Sequence, residues 1–351
     1  MSKARAARRL ATAAAVGGGG IGLFGGFLYG LLSTQAKLAR RKIGNVKDKP
    51  LDPSGLYGGD LPDRPLRLAV LGDSAAAGYG ASVPAETFGA FLATGLVDVA
   101  QVPVILTCVA AIGAQTSALE EQMSRVLPDE PDVCAIIVGG NDVTHKVMPS
   151  ESVRALRSAV ETLRRAGTDV VVGTCPDLGT VRPIAPPLRQ VARTWSRRLA
   201  AAQAIAVVEA GGRVVSLASI LGVEFAAAPS DMFGPDQFHP SPAGYRACAA
   251  AMLPSVASAV GVVLGDEQQD DPLRGGGVLS LPRAAALAAD STGSEVSSAD
   301  LVGVRVQRGR WAVLRHRRRH AIPAVGQVEA ALGDIEPTAD VPDEPSMSER
   351  P

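Results

Sequence analysis

Histidine and cysteine are scarce in this chain, four of each among 351 residues. The cysteines (Cys108, Cys134, Cys175, Cys248) form no CxxC pair and have no histidine neighbour at metal-ligand spacing. A metal site is therefore not expected, and neither is a cofactor. Three of the four sit within or at the end of apolar runs, where a free thiol acts as a small buried hydrophobe rather than part of a disulfide framework. Net charge is also missing, because 35 Lys and Arg balance 35 Asp and Glu. No overall field draws the chain to nucleic acid, and no nucleic-acid partner is expected. The phosphate loops GxGxxG and GxxxxGKS/T do not follow the first apolar run, which counts against a nucleotide site there.

Charge is absent altogether from Leu10 to Ala36. That run exceeds the roughly 20 residues needed to cross hydrocarbon, so it is expected to be a single N-terminal membrane anchor. The alternative is an export signal cut after Ala36, with Thr34 and Ala36 as the small residues. Gly18, Gly22, Gly26 and Gly30 recur every fourth residue and would put a flat ridge on one helix face, suited to close helix–helix self-association. Lys3, Arg5, Arg8 and Arg9 precede the run, while Lys37, Arg40, Arg41, Lys42, Lys47 and Lys49 follow it. Counted literally, this favours a cytoplasmic domain. A basic segment before a first span also resembles an export anchor, and the extracytoplasmic side is the expectation adopted. Residues 50–64 are dense in Pro, Gly and Asp and read as a linker.

From there, apolar runs alternate with helical patterns. Strands are expected over Leu66–Gly72, Val102–Ala110, Val133–Gly140, Asp169–Pro176 and Arg213–Leu217. Helices are expected near Thr87–Leu96, Thr116–Leu127, Ser150–Ala166, Leu188–Ala210 and from Pro242 to about Val260. Continuous Val/Ile/Leu strands separated by helices indicate a parallel sheet covered on both faces. The fold class is α/β: a three-layer, doubly wound sandwich of about five parallel strands over residues 65–264. Residues 265–351 read as a low-complexity, flexible extension. Within it lies an Arg-rich cluster from Arg305 to Arg319 around Trp311, read as a solvated charged tail.

Ligands of open parallel sheets gather at the carboxyl ends of the strands. Four blocks stand there: Gly72-Asp73-Ser74, then Gly113, then Gly139-Gly140-Asn141-Asp142, and finally Asp236-Gln-Phe-His239 before the last helix. Ester hydrolysis needs an activated hydroxyl, a base, a carboxylate orienting that base, and donors for the oxyanion. Ser74 is the candidate nucleophile, His239 the base and Asp236 its carboxylate partner. The backbone N–H groups of Ser74 and Gly113 and the amide of Asn141 are the candidate oxyanion donors. Each has a plainer reading: Ser74 as a helix cap, the glycines as turn residues. His316 and His320 lie in the Arg-rich segment, and His145 reads as a pocket-rim or exposed residue. Asp231 is a second carboxylate, but Asp236 can reach His239 within one loop. Asp73 and Asp142 would repel an oxyanion if aimed at it, so they are expected to bond nearby backbone N–H groups.

In that chain order these blocks resemble the SGNH (GDSL-like) hydrolase family, in a membrane-anchored bacterial form, over roughly residues 64–262. The family's Ser, Gly, Asn, Asp and His fall on Ser74, Gly113, Asn141, Asp236 and His239. The resemblance implies a flavodoxin-like three-layer fold and a carboxylic ester hydrolase that acts without a metal. Its range includes lipases, carbohydrate acetylesterases, thioesterases and lysophospholipases, so the resemblance does not name the substrate; the expectation is a small acyl ester, a lipid or an acylated carbohydrate. The alternatives are a flavodoxin-like ligand-binding domain and a catalytically silent, membrane-tethered interaction domain.

Overall fold

A computed structural model describes residues 26–44, 51–217, 229–264, 278–291, 293–299, 311–317 and 319–322. The strands are β1 (Gly55–Tyr57), β2 (Leu66–Gly72), β3 (Val104–Cys108), β4 (Val133–Ile137), β5 (Asp169–Gly173), β6 (Arg213–Val215), β7 (Val278–Ser280), β8 (Ser294–Ser298) and β9 (Trp311–His316). They form one sheet in the order β1-β3-β2-β4-β5-β6-β8-β9-β7. The expected five strands are its parallel centre, β3-β2-β4-β5-β6.

Period-two alternation explains the layering. Leu68 and Val70 point to one face of β2, where they join Phe88, Phe91 and Leu96 of α2 (Phe88–Ala100) and Tyr245 and Leu253 of α8 (Pro242–Ala259). Ala69 and Leu71 point to the other face, with α3 (Leu119–Val126), α5 (Pro149–Arg165), α6 (Leu188–Glu209) and α9 (Leu281–Ala289). Successive strand residues face opposite sides, so both faces must be covered by helices. Strand β2 lies between β3 and β4, and the chain winds outward from it in both directions. That is the topological switch point, and the crevice opens at the carboxyl ends of these strands.

Two expectations need correction, and a third falls largely outside the described residues. Residues 55–57 of the expected linker form an antiparallel edge strand against β3, fixed by Tyr57, which is buried and donates its hydroxyl to Pro53 O at 2.7 Å.

Second, the segment after residue 264 is not simply a flexible tail. It supplies β7, α9, β8 and β9, and β8 pairs antiparallel with β6. Without β8, the three-residue β6 would present an unpaired edge. Glu295 of β8 is fully buried, yet it accepts from Arg213 at 3.1 Å and from Ser255 at 2.7 Å, and it pairs with Arg317; Arg315 lies within 3.8 Å. Two arginines of the expected solvated cluster, Arg317 and the partly exposed Arg315, are therefore its counter-charges. Residues 265–277, 300–310 and 323–351, including Arg305, Arg308 and Arg310, lie outside the described residues, as does Arg318.

Third, residues 10–25 of the expected span, with Gly18 and Gly22, also lie outside the described residues. Residues 26–43 form helix α1, and among the described residues no helix is long and apolar enough to cross a membrane. Residues 26–30, with Gly26 and Gly30, are exposed, but 31–33, 35 and 36 are half-buried on the domain. The end of the expected span thus packs against protein.

Candidate active site

The β2 strand ends at Gly72, whose φ of +135° and position against β4 both require glycine: a Cβ there would meet Ile137 O at 1.9 Å. Asp73 N then bonds Ile137 O at 3.0 Å, and the chain turns so that Ser74 faces the crevice, nearly buried. On the opposite wall, residues 233–240 close on themselves. Phe233 bridges Pro240, and Gly234 N bonds His239 O at 2.8 Å. Ser241 then caps α8 by accepting from Gly244 N.

This loop brings the separated blocks together. His239 Nε2 lies 3.0 Å from Ser74 Oγ, and His239 Nδ1 lies 2.6 Å from Asp236 Oδ2. The other carboxylate oxygen, Asp236 Oδ1, accepts from the N–H groups of Phe238 and His239, each at 3.0 Å. Burial pushes the Asp236 carboxyl up, but the hydrogen bonds from the His239 ring and the Phe238 backbone outweigh it and hold the group below the usual aspartate range. Tyr79 and Phe238 meet the imidazole edge-on at 4.5 and 4.8 Å between centroids. The Tyr79 carbonyl in turn accepts from the Tyr245 hydroxyl at 2.6 Å. Asp231, on α7 (Pro229–Met232), bonds Ser230 instead.

The Asn141 block begins α4 (Gly140–Thr144) directly after β4. Asn141 Nδ2 donates to Ala114 O at 3.0 Å, which brings the Gly113 turn (φ +78°) beside it, and Ala111 N ties the same loop to Gly72 O at 3.1 Å. Asp142 is buried and accepts from Thr116 N at 3.1 Å, which fixes this loop to α4. Asp73 accepts from Ala75 N at 3.0 Å, and burial, the largest influence, raises its pKa from 3.8 to about 6. Both carboxylates thus bond backbone N–H groups, as expected. His145 is exposed and caps α4, with Nδ1 2.9 Å from Asn141 O.

Ser74, Asn141 and His239 line one pocket whose remaining wall is mostly apolar, with Ile137, Pro176, Leu178, Val181, Leu217 and Phe238. A hydroxyl, a ring nitrogen and an amide thus converge on an apolar slot. The four cysteines are unpaired; three are buried, and Cys108 is half-buried. Among the described residues, no cluster of three or more His, Cys, Asp or Glu side chains is placed to hold a metal ion.

Two supporting residues were missed from the sequence. Gln122 of α3 accepts from Gly72 N at 2.8 Å and donates to Gly72 O at 2.9 Å, clamping the strand end that carries Ser74. Gln203 of α6 does the same between strands, accepting from Cys175 N at 2.8 Å and donating to Val138 O at 3.0 Å. The signal was a lone amide on an otherwise apolar helix face, since a buried amide must find such partners.

Residues 70–247 match the model of the GDSL-like Lipase/Acylhydrolase family. The chain is 38% identical over 255 residues to a GDSL-like esterase of Mycobacterium tuberculosis, an alignment spanning 70% of this chain and 80% of that protein. Among solved structures it is similar to TesA (20% identity, TM-score 0.45, 55% of this chain and 99% of that one). It is also similar to Axe2, an acetylxylan esterase from Geobacillus stearothermophilus (19% identity, TM-score 0.43, 56% and 94%). At those TM-scores neither structure bears on the substrate. With the family match covering the crevice-forming strands from β2 onward and all four blocks, the chain belongs to the GDSL-like lipase/acylhydrolase family and is a carboxylic ester hydrolase.

Proposed function

We propose that the enzyme works by a Ser74–His239–Asp236 triad with an oxyanion site made of the Ser74 and Gly113 N–H groups and the Asn141 amide. The observation that carries this reading is the unbroken chain of contacts, 2.6 Å from Asp236 to His239 and 3.0 Å from His239 to Ser74. Neutral His239 takes the Ser74 proton as Oγ attacks the ester carbonyl, and Asp236 stabilises the imidazolium that forms. The tetrahedral oxygen is held by the three donors; an amide has two N–H groups, so Asn141 can bond Ala114 and the oxyanion together. His239 then returns the proton to the leaving alcohol. Water, activated by the same base, releases the acid from the acyl-enzyme and regenerates Ser74.

The apolar slot beside Ser74 supports an ester with an aliphatic acyl group: a small acyl ester, a lipid or an acylated carbohydrate. The test is labelling with a fluorophosphonate, followed by turnover of model esters. Wild-type protein should label, and Ser74→Ala and His239→Ala should abolish turnover. Asn141→Ala should lower kcat by roughly 10²–10³-fold, the scale of one oxyanion donor. Near-wild-type turnover by Ser74→Ala would remove that residue from the mechanism.

We also infer membrane attachment on the extracytoplasmic side through the uncharged run that begins at Leu10, with the glycines at 18, 22, 26 and 30 available for self-association. Its support is the charge-free sequence and the basic residues preceding it.

A further inference from the structure

Helix α1 lies outside the residues matched by the family model, yet it touches two of the segments that build the pocket. Gln35 brackets the end of the 176–188 segment: its Nε2 donates to Pro186 O at 2.6 Å, and its Oε1 accepts from Leu188 N at 3.1 Å. The near end of that segment carries Pro176, Leu178 and Val181, which are pocket wall. One turn further along α1, Ala39 is buried in the same apolar cluster as Leu178, Val181 and Ile184. On the other side Arg40 donates to Thr144 O at 2.9 Å, the last residue of α4. That short helix begins with Gly140 and Asn141, so a guanidinium on its terminal carbonyl fixes the end opposite the proposed oxyanion donor.

We propose that Gln35 and Arg40 are positioning residues of the active site, making α1 a brace that sets the acyl-pocket wall and the Asn141 helix. The two contacts act on different parts of the reaction. Gln35 acts through the wall that an acyl chain meets, so its loss loosens binding of longer chains. Arg40 acts through α4, so its loss displaces Asn141 from the developing oxyanion and slows turnover of every ester. Neither side chain lines the pocket. The inference rests on the Ser74 mechanism proposed above.

The test uses the full chain carrying Gln35→Ala, Arg40→Ala or Arg40→Lys, with p-nitrophenyl acetate and p-nitrophenyl octanoate as substrates. Competent sites are counted by fluorophosphonate titration, so that a loss of folded protein does not count as a loss of rate. Per titrated site, Gln35→Ala should raise KM for the octanoate roughly three- to tenfold while leaving kcat for the acetate within about twofold, a displacement effect of modest size. Arg40→Ala should lower kcat for both esters by roughly three- to tenfold, and Arg40→Lys, which restores a donor, should recover most of it. Wild-type constants per titrated site in both alanine variants, or losses confined to the number of titrated sites, would overturn the brace. Ser74→Ala, run alongside, separates the two failures: retained turnover there sinks the mechanism itself, whereas a dead Ser74→Ala with wild-type brace variants sinks the brace alone.

Discussion

Asp73 sits next to the proposed nucleophile with its carboxyl buried, and that burial has a thermodynamic signature. Its pKa is raised from 3.8 to about 6, by burial above all. The folded protein therefore holds this proton more tightly than the unfolded chain does. The resulting stability is fully present below pH 3.8 and is lost as pH rises through about 6. Asp236 has the opposite sign: its depressed pKa contributes stability above the ordinary aspartate range and loses it only on stronger acidification. The windows separate, so melts of wild type and Asp73→Asn at about pH 5 and about pH 8 isolate Asp73. Wild type should lose about 1.4 kcal/mol more than the variant across that interval. Equal pH slopes would mean that the burial carries no proton linkage.

The same scale shows what the sequence could tell. Ser74, Gly113, Asn141, Asp236 and His239 each follow a strand or precede a helix in a pattern that local chemistry makes visible. Gln122 and Gln203 do not, because a clamp is defined by the backbone atoms it reaches, and those lie 50 residues away for Gln122 and 28 and 65 residues away for Gln203.

Among the elements, the five parallel strands were legible because each is a continuous apolar run. Strands β1, β7, β8 and β9 were not: β1 and β7 have three residues, β8 reads Ser-Glu-Val-Ser-Ser, with a charge at its second position, and β9 lies within the arginine-rich run. The place of β8 in the sheet depends on a non-local event, the meeting of Glu295 with Arg213 and Arg317, which no local periodicity announces. A buried charge network is expensive to break from one side only. Glu295→Ala leaves Arg213 and Arg317 without their shared partner and should cost about 3–5 kcal/mol in denaturant unfolding. Glu295→Gln, which keeps hydrogen bonding but not charge, should fall between. A loss below about 1 kcal/mol for Glu295→Ala would show that the C-terminal strands are not coupled to the sheet through this residue.

At the scale of the whole molecule, the question is where an anchor ends and the enzyme begins. The uncharged run from Leu10 to Ala36 overlaps helix α1, whose residues 31–33, 35 and 36 are half-buried on the domain. Residues 10–30 remain, a length close to the roughly 20 needed to cross hydrocarbon. The proposed attachment and the proposed brace therefore occupy adjacent stretches, and two deletions separate them. Removing residues 2–25 takes away most of the uncharged run but leaves Gln35, Ala39 and Arg40 in place. Removing residues 2–50 takes away the brace as well, while keeping β1 and the buried Tyr57. Full-length protein should pellet with membranes after a carbonate wash, and both shortened chains should stay in the supernatant. Per titrated site, the first should retain kcat and KM within about twofold, and the second should show the combined octanoate KM and kcat defects of the Gln35 and Arg40 variants. A chain lacking residues 2–25 that still pelleted would end the anchor reading. A chain lacking residues 2–50 with wild-type constants would show that the domain needs nothing before Leu51 to shape its site.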